Sequence, residues 1–336
     1  MPVTKELSQE ILETYEFQEP ISPEIRSMLQ EDFEKALTFL VGDKPWLTES
    51  DNLRHKALYL ELTDRIRAVF WLKRKDAWPV NAVPEWLQAL IAYWHHNRCA
   101  VITLNYDTLI EQVASEVYCP KRRPQIPTGE LYPIRLTPAV IEPTKTGELS
   151  QTFRLFKLHG SINWFYSGRS NFFGEELLYV PCKGGVDDAF GVEEHPAPFK
   201  VDWCRLRGGK TSLIIPPTLD KSAFFQHEAL RSMWFQAGEA IKQASRVICL
   251  GYSLPSSDLT MAHFLKTSAP SSGIPFEIVD LELRDRCESK VEHFERIIGK
   301  SAYEFRQQYS GKECVETFVL SNLNIEPKDD LPVCAA

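Results

Sequence analysis

Glycine is scarce at the start of this chain. Gly42 is the only one before Gly129 in a sequence of 336 residues, so the first third holds no glycine-rich phosphate loop. No C-x-x-C pair occurs among the eight cysteines, at positions 99, 119, 182, 204, 249, 287, 314 and 334. Structural zinc draws on such pairs because two thiolates from one turn preorganise half a tetrahedron. Cys182 and Cys204 bracket a loop that also holds His195, but scattered reduced thiols are the simpler reading, and no metal is expected. No apolar run approaches the roughly 20 residues that span a bilayer, and the polar, acidic N-terminus has no secretory core. A cytoplasmic protein is expected, away from membranes. A net charge of -8 gives no electrostatic reason to expect direct nucleic-acid binding. The short basic runs Lys73–Lys75 and Lys121–Arg123 read as solvated surface.

What is present divides at Arg98. Residues 1–97 read as a helical region packed on or inserted into the core. Ser22-Pro23-Glu24 has a capping hydroxyl, a proline at the first helical position and an acid in the first turn. Ile25, Met28, Leu29, Phe33, Leu37 and Leu40 follow at helical spacing. A second helix is predicted over 52–73. A third carries Trp86, Leu87, Leu90, Ile91 and Trp94 on one face, an aromatic set that reads as core.

From residue 98 to 336, strand, turn and helix alternate. Apolar runs at 99–104, 153–158, 212–215, 246–250 and 276–279 have the composition of strands covered on both faces. The alternation predicts an α/β fold, a Rossmann-like parallel sheet with helices on both faces beside the helical N-terminal region. An irregular insert is expected at 166–211. The tail reads as one or two helices, with an edge strand possible at 315–320.

Four strand ends carry chemistry-bearing groups. The first run stops at Asn105 and Asp107, the second at His159 followed by Gly160, and the fourth at Gly251-Tyr252-Ser253 with Asp258 close behind. Asp280 ends the fifth. Ligands of open parallel sheets sit beyond the carboxyl ends of the strands. Asn105 and Asp107 also suit helix capping. Glycine at 251 lets a ligand approach the backbone, and Ser253 with the turn amides can bind phosphate or ribose. Asp280 is the type of acid that holds a ribose hydroxyl pair, and equally a solvated strand-end carboxylate. His95, His96, His195 and His227 have no comparable setting.

In four stretches, taken in order, the chain resembles the sirtuin-like superfamily, in particular its bacterial NAD-hydrolysing, anti-phage defence branch. They are Leu104-Asn105-Tyr106-Asp107-Thr108, Lys157-Leu158-His159-Gly160-Ser161, Ile214-Ile215-Pro216-Pro217-Thr218, and Leu250-Gly251-Tyr252-Ser253-Leu254-Pro255 with Asp258. The resemblance covers about residues 98 to 282. It implies that Asn105 and His159 are the catalytic pair. It also implies that Asp107, Gly160, Gly251, Ser253, Asp258 and Asp280 contact NAD, the substrate, at its ribose and phosphates. Two of the family's features have no counterpart. Its glycine-rich diphosphate loop is missing, and the resemblance would place that loop upstream of Met1. Its zinc ribbon is absent too, which weighs against a deacylase. Two expectations follow. One is an NAD glycohydrolase releasing nicotinamide and ADP-ribose, working as a homo-oligomer or with a protein partner. The other is a catalytically inactive module that binds a nucleotide or a protein.

Overall fold

Ser22 starts a helix as its sequence predicts: its hydroxyl accepts the Ile25 amide at 3.3 Å, and Pro23 opens α2 (Pro23–Glu31). Asp32 closes α2 and caps α3 (Phe33–Val41) by accepting the Lys35 amide at 3.0 Å. Together with α1 (Thr4–Thr14) and the long α4 (Glu49–Ala77), they bury Ile11, Leu29, Leu37, Leu40, Leu62 and Ile66 completely. Each such side chain contributes about 1.5–3 kcal/mol on leaving water. The computed structural model describes residues 4–14, 21–77, 83–117, 126, 128–139, 152–166, 177–180, 211–215, 227–256, 258–280, 289–311 and 313–323.

The chain forms two compact units, residues 1–83 with 100–237, and residues 84–99 with 238–336. The helices of the first 97 residues are thus shared between the two units, dividing after Val83. Ile162 and Ile214 belong to the same apolar cluster as α1 to α4, which ties those helices to the first unit. Helix α5 (Glu85–Asn97) belongs to the second unit and buries Leu87, Leu90 and Ile91.

Within the first unit, β1 (Ala100–Thr103) and β3 (Arg154–Lys157) pair in parallel, from Ala100 opposite Arg154 to Thr103 opposite Lys157. Between them come α6 (Leu109–Gln112), which continues as a π-helical turn over Val113–Val117, α7 (Thr128–Leu131) and β2 (Thr137–Pro138). A second sheet has the order β2, β5 (Leu178–Tyr179), β4 (Gly160–Tyr166), β6 (Thr211–Ile214). Strand β4 is antiparallel to both β5 and β6, and all of it except Tyr166 is buried. Its polar members Ser161 and Asn163 hide it from a search for apolar runs. Most of the insert expected at 166–211 lies outside the described residues.

The division between the units falls within α8 (Glu228–Lys242). The second unit continues as β7 (Val247–Leu250), α9 (Leu259–Thr267), β8 (Pro275–Val279), α10 (Lys290–Ile298) and β9 (Glu304–Tyr309). The three strands form a parallel sheet in the order β7, β8, β9. Residues 315–320 form no strand; they lie in helix α11 (Cys314–Asn322). There Cys314, Phe318 and Val319 are buried at helical spacing, and packing on a neighbouring element overrides the β preference of valine and phenylalanine. The protein is a mixed α/β structure with parallel strands. No helix among the described residues is long and apolar enough to cross a membrane.

Candidate functional site

The parallel register of β1 and β3 brings two strand ends side by side. The Leu158 amide donates to Thr103 O at 3.1 Å, and beyond it the Ile162 amide donates to Tyr106 O at 3.0 Å. Asn105 is exposed on the first strand end, its amide donating to the Thr103 hydroxyl at 3.1 Å. Asp107 is buried and accepts the Leu109 amide at 3.0 Å, an Asx turn just ahead of α6, whose N-cap position is Thr108.

His159 stands in the turn between β3 and β4, only 8% exposed. Its ring neighbours those of Tyr106 and Trp234, with centroids at 6.4 Å in each case and tilts of 32° and 38°. The Trp234 indole donates to Leu158 O at 3.0 Å, while the Ile215 amide donates to His159 O at 2.8 Å. The Tyr106 hydroxyl donates to Ile215 O at 2.6 Å, and burial pushes its phenol above the ordinary range. Gly160 has φ +76°, and a Cβ there would stand 2.1 Å from Leu213 O. Its glycine is therefore required by the close approach of β6.

Behind the two strand ends lies a buried polar network absent from the expected site. The Lys157 ammonium, 1% exposed, pairs with Glu111 at 2.9 Å, donates to Asp107 O and reaches Tyr106 O at 3.5 Å. Glu111 also accepts the Tyr132 hydroxyl at 3.0 Å. The Asn163 amide donates to the Tyr132 hydroxyl at 3.3 Å and to Val180 O at 2.8 Å. Stranding one charge of such a pair costs about 3–5 kcal/mol. The sequence did carry a signal for it. Lys157 interrupts an otherwise apolar run from Phe153 to Leu158, and Glu111 falls among Leu109, Ile110 and Val113.

The other four expected residues lie in the second unit. Gly251 follows β7 with φ +65°, and its amide donates to Val279 O at 2.8 Å. Gly251 and Ser253 are both exposed, leaving their turn open to a ligand. Leu254 is buried in the left-handed region at φ +49°. Its carbonyl oxygen lies 2.8 Å from His293 Nε2, and Arg296 Nη2 lies 3.0 Å from Nδ1. A carbonyl only accepts and a guanidinium only donates, so the tautomer that fits both carries its proton on Nε2.

The two acids have internal partners. Asp258 caps α9 through the Met261 amide at 3.2 Å and accepts the Tyr252 hydroxyl at 2.8 Å. Burial, with the Asp258 charge behind it, pushes the Tyr252 phenol upward. Asp280, at the end of β8, is buried against the Lys290 ammonium at 2.5 Å. Burial, followed by the Asp280 charge, pushes the Cys249 thiol up to about 12.

Among the described residues no three His, Cys, Asp or Glu side chains gather to hold a metal ion. Cys182, His195, Cys204 and the Pro216–Thr218 stretch lie outside the described residues. No protein-family model matches the chain, and no curated protein matches it significantly.

Proposed function

We propose that this chain is an NAD glycohydrolase of the sirtuin-like type, cleaving the nicotinamide–ribose bond to give nicotinamide and ADP-ribose. One observation carries the reading: the parallel pairing of β1 with β3 sets the strand end of exposed Asn105 next to the turn that holds His159 beside two aromatic rings. Breaking the bond leaves positive charge on the ribose while neutral nicotinamide departs. His159 takes a proton from water as its oxygen attacks the anomeric carbon, a general-base contribution of about 10²–10⁴-fold. Asn105 orients that water and the ribose, because its amide both donates and accepts. Asp107 and Gly160 shape the two turns of the first unit; the second unit by itself offers an exposed turn at Gly251 and Ser253, suited to ribose or phosphate. The parallel pairing within each unit is, in this reading, Rossmann-like. The enzyme acts in the cytoplasm without a metal, as a homo-oligomer or with a protein partner, in a defence role.

A second reading, an inactive module that binds a nucleotide or a protein, draws on the internal partners of Asp258 and Asp280. Acids held by Tyr252 and Lys290 are less available to a ribose. Chromatographic assay of nicotinamide and ADP-ribose decides between them. Turnover by the parent and a loss of at least ~10²-fold in His159→Ala support the enzyme. Unchanged turnover in a folded His159→Ala protein removes the histidine from the mechanism. NAD binding by calorimetry without any turnover supports the inactive module.

A further inference from the structure

We propose that Lys157 is a positioning residue that fixes the Asn105–Asp107 segment through its main-chain carbonyls. Its catalytic consequence rests on the glycohydrolase reading; the positioning itself does not. An ammonium has three N–H donors, and three acceptors surround this one: Asp107 O, Tyr106 O at 3.5 Å and Glu111 Oε1 at 2.9 Å. Tyr106 O also accepts the Ser161 hydroxyl at 3.2 Å and the Ile162 amide at 3.0 Å. Asn105 is thereby held on both sides, at its own amide by Thr103 and just downstream by these two carbonyls. Glu111 neutralises the ammonium in a site that water does not reach, and the Tyr132 hydroxyl keeps that carboxylate turned toward it. A purely structural ion pair would need Glu111 alone. The two carbonyls make Lys157 a clamp on the strand end that carries the exposed amide. Lysine delivers its donors from one point, whereas the arginine fork is planar and spreads them.

Two variants test the clamp by amide hydrogen exchange of residues 104–109. Lys157→Met with Glu111→Gln removes both charges together and keeps an acceptor for Tyr132, avoiding a stranded ion. Lys157→Arg keeps the charge pair but changes the donor geometry. The expected result is an exchange rate in 104–109 at least ~10-fold above the parent in either folded variant, with β4 and β7–β9 still protected. Parental exchange in 104–109 in whichever of the two Lys157 variants folds overturns the proposal. Where the parent turns over NAD, kcat in Lys157→Arg is expected to fall about 10²-fold, the loss typical of a reacting group displaced by ~1 Å, with KM within about threefold. A kcat at the parental level in that variant also overturns it. A parent without turnover refutes the glycohydrolase reading and leaves the exchange rates to decide this one.

Discussion

Alanine at Gly160 should destabilise the first unit well beyond what its backbone angle alone explains. A left-handed conformation costs an L-residue roughly 1–2 kcal/mol. Gly251 supplies that baseline, because it has φ +65° and nothing within 4 Å of where a Cβ would stand. At Gly160 the new methyl would meet Leu213 O at 2.1 Å and Leu213 C at 2.9 Å, both main-chain atoms of β6. That is well inside the carbon contact distance of about 3.5 Å. Relief requires β6 to move away, stretching the bond from the Ile215 amide to His159 O. A buried polar group left unmade costs about 1–3 kcal/mol. Gly160→Ala is therefore expected to lose about 2–5 kcal/mol, against about 1–2 kcal/mol for Gly251→Ala. Urea unfolding followed by tryptophan fluorescence measures both, with fully buried Trp164 reporting the first unit and Trp86 and Trp94 of α5 the second. Losses equal within about 0.5 kcal/mol, the ordinary scatter between independent sites, would refute the clash.

Two further outcomes are expected. Ser289 forms a reciprocal capping box with Glu292 at the start of α10, so Ser289→Ala should cost about 1 kcal/mol by urea unfolding, and a loss below about 0.3 kcal/mol would contradict it. The folded-state value of the Cys249 thiol, about 12, lies above its ordinary 9.0, so its share of stability is full below pH ~9 and is lost as pH rises toward ~12. Stability should fall more steeply over that window in the parent than in Cys249→Ala, by up to about 1.4 kcal/mol per pH unit; parallel curves would count against a buried thiol.

Much of the local structure was legible in the sequence. The apolar runs at 99–104, 153–158 and 246–250 became β1, β3 and β7, and Ser22-Pro23 opened its helix, because continuous apolarity and capping chemistry are local signals. Among the described residues the strands pair as two parallel sets and a mixed four-stranded sheet, so the sheet expected from their alternation is seen only as parallel pairing within each unit. Strand pairing depends on contacts between distant segments, which spacing cannot report. Strand β4 was missed because Ser161 and Asn163 face polar partners inside the first unit. For the site, the strand ends at Asn105 and His159 were readable because polar residues abruptly end apolar runs. Lys157 and Glu111 were not, since a charge in an apolar run is informative only once its counter-charge is found. Asp258 and Asp280 offered two uses in sequence, and only their geometry shows Tyr252 and Lys290 occupying them.

The pairing of Ala100 with Arg154 joins strands that stand far apart along the chain. The residues between them are more than a spacer, because α7 and β2 lie there and Tyr132 of that stretch holds the Glu111 carboxylate. Any change of length between β1 and β3 must therefore keep Tyr132 within reach of Glu111. Variation in the connection is limited by the charge network behind the strand ends, and not by the strand register alone.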